Sequence, residues 1–353
     1  MMLRLEKRLY SSSIVPFMVP LLSVVAAFLM GAIFLYFSGY APLKVYAMIY
    51  DGAFGSAYGI SETIVKAIPL LLCSLGVAVA FKMKLWNIGA EGQLYMGALF
   101  ASYIALFHGT LPAYIMLPTM LVAGALGGAL WALIAGIPRA IWNVNETITT
   151  LMLNYVAINM VDYFVYGPWK DPKGFNFPLS ASFPNAAILP AIPGSRVHSG
   201  LIIALIAVVI IYFIFRFTRW GFQIRVIGES PEAARYAGMN TAKNIMAVLA
   251  LSGALAGIAG MAEVSGIIQR LQHGISPGYG YSAIIIAWLS KLHPVAMIFV
   301  SILFGGLLVG GYSIQTLGIS SAIVSMLQGA ILFFILGGEI FSTYTLRISK
   351  RRG

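Results

Sequence analysis

Two long apolar stretches constrain the fold of this chain more than any other feature of its sequence. Residues 92–138 and residues 292–338 each run for 47 residues without Asp, Glu, Lys or Arg. A helix that crosses the hydrocarbon core of a bilayer needs about 20 predominantly apolar residues, so each stretch is long enough for two crossings. Because no water reaches the backbone inside a bilayer, such segments must satisfy their own hydrogen bonds and are predicted to be helices.

The composition of the whole chain points to the same class of fold. Of the 353 residues, 60% are hydrophobic and only 9% are charged, whereas about 25% are charged in an average soluble protein. This balance excludes a soluble globular enzyme and a disordered chain. We therefore expect an all-α, polytopic bundle embedded in a lipid bilayer, with residues 1–353 forming one transmembrane domain.

Apolar runs between charges and Gly/Pro breaks predict about ten spans. The first, residues 16–37, is longer than the apolar core of a signal peptide and long enough to cross a bilayer. Whether the short run at 281–289 crosses fully stays open. The ten predicted segments are residues 16–37, 64–81, two within 92–138 around a break at 108–112, 145–166, 201–215, 246–266, 281–289, and two within 292–338 around a break near Gly318.

The distribution of basic residues predicts the orientation of these spans. With both termini in the cytoplasm, the inside loops hold 16 of the 22 Lys and Arg residues and the outside segments hold 6, which is the positive-inside pattern. Residues 1–15 and 216–245 are then cytoplasmic, and the proline-rich loop 167–199 is external. Five spans on each side of that loop would enter the membrane in opposite senses, as in an inverted repeat of two five-span halves. The six outside cations are Lys44, Lys66, Lys170, Lys173, Arg196 and Arg270.

Several classes of function are excluded or disfavoured by what the sequence contains. The excess charge of +11 lies mainly between apolar stretches, so we expect no nucleic acid partner. The single cysteine, Cys73, allows no intramolecular disulfide, and the four histidines are scattered without metal-ligand spacing. No Walker A motif is present, and no catalytic cluster of His, Asp or Ser is found. We expect neither an enzyme nor a bound metal or cofactor.

The first stretch that carries chemistry is Asn87-Ile88-Gly89-Ala90-Glu91-Gly92-Gln93, between two apolar segments. Its glycines suggest backbone that leaves the regular helix, which is tolerated at membrane depth only where protein or a watery cavity surrounds it. A carboxylate at that depth costs roughly 2.5–3.5 kcal/mol on insertion scales. Two interpretations are open: a broken helix beside a transport path, or a cytoplasmic turn with a solvated Glu91.

The second stretch is the fifth predicted span, which begins with the helix-capping pair Asn145-Glu146. A helix that faces lipid would not carry so many polar groups, so we expect this one to face the bundle interior. There the groups either bond to neighbouring helices or line a path. Polar residues fall on two neighbouring stripes at helical spacing, with Thr147, Thr150 and Asn154 on one and Tyr155, Asn159 and Asp162 on the other.

The third stretch, residues 228–240, predicts a short two-turn helix in the largest cytoplasmic loop. Ser230 is an N-cap, Pro231 fits the first helical position, and Glu232 favours the positive end of the helix dipole. Gly238 is a C-terminal stop. The helix is either a plain surface element or a docking element for a cytosolic partner.

These three stretches resemble the permease subunits of bacterial ABC importers of the branched-chain amino acid, ribose and nucleoside group. Segments 87–93, 145–155 and 233–240 most resemble the general nucleoside permeases, and the resemblance covers about residues 60–340. It implies nucleoside import across the bacterial plasma membrane, with a simple sugar such as ribose as the alternative cargo. It also implies three partners: an ATP-binding subunit that uses ATP, a second homologous permease, and an external substrate-binding lipoprotein.

The matching motifs, together with the chemistry of a neutral cargo and helix capping, suggest roles for individual residues. A neutral cargo needs hydrogen-bonding neutral groups along its path rather than a charged clamp. The expected path residues are Asn87, Gln93, Thr150 and Asn154; the bracing or path acids are Glu91, Glu146 and Asp162; and the coupling helix contains Ser230, Glu232, Arg235 and Gly238.

A different class of protein, an ion-coupled secondary transporter, would also show ten spans with intramembrane acids such as Asp162 and Glu263.

Overall fold

The computed structural model describes residues 2–7 and 15–349. Four basic residues that enter the charge count lie outside these ranges: Arg8, Lys350, Arg351 and Arg352. Most of the predicted cytoplasmic segment 1–15 therefore falls outside the described part as well, and its location stays a prediction.

Seven of the described helices are long and apolar enough to cross a membrane, by length and composition. Two shorter helices, Tyr279–Leu289 and Ala322–Gly338, are also apolar. The chain is thus a polytopic helical membrane protein, as its composition predicts. The seven candidate spans are Met18–Phe37, Ala57–Lys82, Ala113–Trp142, Glu146–Tyr166, Gly200–Phe217, Thr241–Ile268 and Pro294–Thr316.

A helix lies at each of the ten predicted segments, and further elements occur between them. The helices are α1 (Val15–Phe37), α2 (Pro42–Phe54), α3 (Ala57–Lys82), α4 (Ala90–Phe107), α5 (Ala113–Trp142), α6 (Glu146–Tyr166), α7 (Gly200–Phe217), α8 (Arg219–Glu229), α9 (Pro231–Tyr236), α10 (Thr241–Glu263), α11 (Tyr279–Leu289), α12 (Pro294–Ser313) and α13 (Ala322–Thr343). A π-helical turn, Val264–Ile268, extends α10.

Three local expectations differ from the structure. Helix α3 begins seven residues before the predicted span 64–81. Lys66, which the charge count assigns to the outside, therefore lies more than two turns inside a helix. The predicted loop 216–245 is largely helical, because Thr218 caps α8 by accepting a hydrogen bond from the Gly221 amide at 3.0 Å. Helix α2 was not among the predicted segments.

The fold is also not purely helical. Strands β1 (Met2–Lys7) and β2 (Tyr344–Ser349) pair antiparallel, with Met2 opposite Ser349 and Lys7 opposite Tyr344. Residues 3–6 and 344–349 alternate apolar and polar side chains with a period of two, which is the pattern of a strand rather than a helix. This short pair of strands accompanies a membrane bundle that is helical, as expected.

The chain divides into two compact units. One contains residues 2–7, 15–56 and 307–349 within the described ranges, and the other contains residues 57–306. In the first unit, the core contains residues of α1, α2, α13 and the turn before α13. Leu35 of α1 and Leu327 of α13 are fully buried in it. The Tyr46 hydroxyl of α2 donates to the Phe28 carbonyl of α1 at 2.6 Å.

In the unit of residues 57–306, helix α10 packs against α3, α4 and α5. A Cβ atom built on Gly128 of α5 would lie 2.1 Å from the Gly253 carbonyl oxygen of α10. One on Gly257 would lie 2.1 Å from the Gly124 carbonyl oxygen, so these four glycines bring the two backbones into direct contact. This close approach fixes the register of α10 in the bundle.

The proline-rich loop 167–199 is anchored on the irregular segment that follows α10. The Ser180 amide donates to the Leu271 carbonyl at 2.7 Å, and the Leu189 amide donates to the Ser265 carbonyl at 3.1 Å. The segment between α10 and α11 includes Gln269 and Gly278 with positive φ values of 57° and 97°. This break lets the chain turn back to start α11 beside α4.

Candidate translocation site

The segment between α3 and α4 is not helical, and its one amide side chain, Asn87, points into the protein. Lys84 has a φ of 57°, which breaks the helix, and α4 begins only after Gly89. Within this segment Asn87 is fully buried and bonds reciprocally with the Gln93 amide, at 3.0 Å in both directions. Its Nδ2 also donates to the Ser252 hydroxyl of α10 at 2.8 Å.

Helix α6 closes on this segment through two polar side chains of one stripe. The Asn154 Oδ1 accepts from the Gly92 amide at 2.8 Å, while its Nδ2 donates to the Ile88 carbonyl at 2.9 Å. The Thr150 hydroxyl accepts from the Ile88 amide at 3.2 Å. A Cβ on Gly92 would lie 2.9 Å from the Asn154 Cα, so only glycine allows α6 to come this close.

Glu91 braces the start of α11. Its carboxylate is buried and accepts from the Gly280 amide at 2.7 Å. A Cβ on Gly280 would lie 2.2 Å from the Glu91 nitrogen, so these two backbones are in contact. The Tyr281 hydroxyl, one residue further, accepts from the Asn154 Nδ2 at 3.2 Å. Glu91 is thus enclosed by protein and is not a solvated side chain in a turn.

The second acid of the motifs, Glu146 at the start of α6, contacts the segment after α3 and the last turn of α5. Its Oε1 accepts from the Trp86 amide at 3.2 Å, and its Oε2 lies 3.1 Å from the Arg139 Nε of α5. Six of the seven predicted path and bracing residues therefore belong to one buried region of the protein: Asn87, Glu91, Gln93, Glu146, Thr150 and Asn154.

Asp162 is the exception. It lies two turns beyond Asn154 on α6, and its Oδ1 is 2.8 Å from the Nδ1 of His273 in the segment after α10. Its side chain is partly exposed. The structure therefore separates Asp162 from the buried amide network.

The two polar stripes of α6 have different surroundings. Thr150 and Asn154 are buried in the bundle, whereas Tyr155 and Asn159 point away from it and are exposed. The expectation that the whole polar face of this helix turns inward is correct only for the first stripe. Because both stripes carry polar residues, the sequence could not show which of them is buried.

A second buried polar cluster, which sequence reasoning did not assemble, joins α3, α10 and α11. The Lys66 Nζ lies 3.2 Å from the Glu263 Oε1, and the Tyr279 hydroxyl donates to the same oxygen at 3.3 Å. The Lys66 ammonium also lies 5.7 Å from the centre of the Tyr279 ring. A lysine within an apolar run could have indicated a buried ion pair. The sequence did not indicate its partner, because Glu263 lies almost 200 residues away.

His198 lies at the end of the proline-rich loop 167–199. Its side chain is buried, and its Nδ1 accepts from the Gly200 amide at 3.2 Å. Burial, followed by the charge of Lys66, lowers the pKa of His198 to about 4. The imidazole is therefore neutral at physiological pH.

The predicted coupling helix forms at α9. Ser230 caps it by accepting from the Ala233 amide at 3.2 Å, Pro231 takes the first turn, and Gly238 follows its end with a φ of 73°. The helix has six residues, slightly shorter than the two turns predicted. Tyr236 is 94% exposed at its end.

A cavity of about 770 Å³ opens beside the start of α9. Its lining includes Glu232 and Arg235 of α9, Lys84 of the segment after α3, and Arg139 of α5. The α9 helix and Arg139 therefore line the same cavity. Arg139 in turn pairs with Glu146, which lies in the same buried region as the amide network.

This arrangement, a polytopic helical bundle with buried neutral amides and a short capped helix on a charged loop, defines a membrane transport subunit. The model of the family described as "Branched-chain amino acid transport system / permease component" matches residues 59–336. The chain belongs to this family and is a permease component of an ABC importer. It is a non-catalytic membrane subunit, and a partner subunit hydrolyses the ATP.

Three relatives align along almost the whole chain. The glucose ABC transporter permease protein of Haloferax volcanii is 38% identical over 95% of this chain and 91% of that protein. The guanosine ABC transporter permease protein of Bacillus subtilis is 36% identical over 94% of each. The nucleoside ABC transporter permease protein of Lactococcus lactis is 33% identical over 90% of each.

Proposed function

We propose that this permease imports nucleosides. The observation that carries the proposal is the 36% identity to a guanosine permease along 94% of both chains, together with a second nucleoside permease at 33%. A nucleoside is uncharged and combines a flat base with a polyhydroxyl sugar. The neutral amides and hydroxyls of the α4–α6 region suit such a solute better than an ion or an acid.

Ten spans with both termini in the cytoplasm are the topology that we propose. It rests on the ten helices at the predicted segments and on the distribution of basic residues, 16 inside against 5 outside once Lys66 is assigned to α3. The cell membrane of a bacterium is the proposed location, and two inverted five-span halves are the proposed internal symmetry. A cysteine replacing Ser182 should be labelled from outside intact cells, and one replacing Ser230 only after permeabilisation.

The proposed assembly contains a second homologous permease, an ATP-binding subunit and an external binding lipoprotein. Bacillus subtilis has two different guanosine permeases similar to this chain, at 36% and 28% identity, which supports a pair of unlike permeases. We propose that α9 couples the permease to the ATP-binding subunit through Ser230, Glu232, Arg235 and Gly238.

For the path itself, we propose that Asn87, Gln93, Thr150 and Asn154 lie beside the cargo and that Glu91 and Glu146 brace them. In the observed arrangement, both Nδ2 hydrogens of Asn87 and of Asn154 are already used within the protein. Cargo can bond to these amides only when the helices separate, so their role depends on the transport cycle.

A sugar is the second candidate cargo, since the glucose permease of Haloferax volcanii is 38% identical to this chain. Uptake of labelled guanosine by cells that express the assembled transporter, with guanosine, uridine, ribose and glucose as competitors, separates the two. Competition by both nucleosides and not by glucose is the expected result. Uptake of labelled glucose with no uptake of labelled guanosine would replace the nucleoside proposal, and uptake driven by an ion gradient without the ATP-binding subunit would contradict both.

A further inference from the structure

We propose that the exposed stripe of α6 that carries Tyr155 and Asn159 is part of the wall along which the cargo moves. Nothing in the buried amide network requires this second stripe. The inference rests on the proposed function for the identity of the cargo, a neutral solute with an aromatic base and hydroxyl groups. The existence of the wall is independent of which neutral solute is carried.

The first observation is the position of these residues on a membrane helix. Helix α6 is long and apolar enough to cross a bilayer, and its buried face is built by Thr150, Asn154 and residues one or two turns away. Tyr155 is 57% exposed, and Asn159, one turn further, is also exposed. The exposed polar groups therefore lie in the middle of the span, not at its ends.

The hydrogen bonding of Asn159 is incomplete. Its Nδ2 donates to the Tyr155 carbonyl of its own helix at 2.7 Å. Its Oδ1 and its second amide hydrogen have no partner among the described residues. A primary amide with free donor and acceptor positions is unfavourable in hydrocarbon, because nothing there can bond to it.

The neighbouring helix α5 shows what a lipid-facing surface looks like in this protein. Its exposed ridge consists of Val122, Leu126, Leu130 and Ile134, at intervals of four residues. The other exposed flank of α6, with Val156 and Met160, is equally apolar. Lipid therefore fits the Val156 flank, whereas the Tyr155 flank needs a polar environment.

The surroundings of the stripe match the proposed solute. Tyr281 of α11 is 37% exposed, and its hydroxyl bonds to Asn154, the residue directly before Tyr155. Two tyrosine rings supply flat apolar faces for a base, and the free amide of Asn159 supplies one donor and one acceptor for hydroxyl groups. Since Tyr281 bonds to Asn154, the buried network holds this face in position.

Cysteine labelling of the assembled transporter tests the inference directly. The native Cys73 is the single cysteine and is buried, so the unmodified protein provides the background. Tyr155→Cys, Asn159→Cys and the control Val156→Cys are treated with a charged thiol reagent in permeabilised membranes. We expect modification at positions 155 and 159 at least about tenfold faster than at 156, because a charged reagent reaches only water-filled space. Saturating guanosine should slow the modification.

Transport provides the second measurement. Asn159→Leu is expected to lower kcat/KM for uptake about tenfold, in the range for losing a hydrogen bond to the solute, with normal membrane abundance. Asn159→Gln should recover part of that loss, and Val156→Leu should transport normally. If wild-type protein takes up glucose and not guanosine, glucose replaces guanosine as the protecting solute, and the nucleoside proposal fails while this one is still tested.

Three outcomes would overturn the inference. If neither position 155 nor position 159 reacts, the stripe is packed against the second permease. If position 156 reacts as fast as the other two, the stripe is not a distinct polar face. If the transported solute gives no protection and Asn159→Leu transports normally, the face is wet but does not contact the cargo.

Discussion

Removal of the Lys66 side chain should destabilise the unit of residues 57–306 more than any loss of an exposed lysine. Lys66 lies on α3 and pairs at 3.2 Å with Glu263, whose side chain is only 3% exposed. The Glu263 Oε2 has no hydrogen-bond partner among the described residues, so Lys66 and Tyr279 supply the stabilising contacts of this carboxylate. Lys66→Met would leave a buried carboxylate with a single hydroxyl donor.

The size of the destabilisation follows from leaving the buried Glu263 carboxylate without its cationic partner. Breaking a buried ion pair by removing one partner costs about 3–5 kcal/mol, whereas replacing both partners by neutral groups is often close to neutral. At a few degrees per kcal/mol, Lys66→Met should lower the apparent Tm by on the order of 5–15 °C. The double variant Lys66→Met/Glu263→Gln should recover most of that loss.

Thermal unfolding of the detergent-purified transporter measures these effects. Lys44→Met is the matched control, because Lys44 is exposed on α2 and the chemical change is the same. The reasoning fails if Lys66→Met melts within about 2 °C of the control. It also fails if the Tm loss of the double variant equals the sum of the losses of Lys66→Met and Glu263→Gln, because the two groups would then not be coupled.

Three further predictions concern other parts of the protein. Asn154→Leu should abolish uptake at normal membrane abundance if Asn154 lies beside the cargo; loss of the folded complex would instead show that its helix-bridging bonds dominate. Because the folded pKa of His198 is lowered to about 4, protonation favours the unfolded chain, and stability is lost as pH falls from about 6.5 towards 4. At pH 5 that loss is about 2 kcal/mol and should be absent in His198→Asn, as melting at pH 5 and pH 7.5 would show. Glu232→Lys and Arg235→Glu should each reduce the stimulation of ATP hydrolysis by substrate without changing the melting temperature of the permease; unchanged stimulation would disprove docking through α9.

The parts of the fold that depend on local pattern could be predicted from the sequence. Each predicted apolar segment contains a helix, and the cap at Ser230 forms as its residue types require. In each case the determining residues lie within about one or two turns of each other.

What could not be predicted depends on distant partners. The pairing of Lys66 could not be foreseen, because its partner, Glu263, is brought to it only by the packing of α3 on α10. Pairing of β1 with β2 joins opposite ends of the chain. The orientation of α6 was ambiguous because two adjacent stripes carry polar groups, and only the contact of Asn154 with Gly92 selects which stripe is buried.

The start of α11 connects the two buried polar clusters. Tyr279 bonds to Glu263 of α10, the Gly280 amide bonds to Glu91 of α4, and Tyr281 bonds to Asn154 of α6. Three consecutive residues therefore hold three helices, and a displacement of this turn must strain or break bonds in both clusters. Because the Gly280 backbone already touches Glu91, α11 has no room to approach α4 further. A motion that frees the Asn154 amide for cargo must separate α6 from Ile88 and from Tyr281. If it displaces the start of α11, it also loosens the hold of Tyr279 on the Lys66–Glu263 pair.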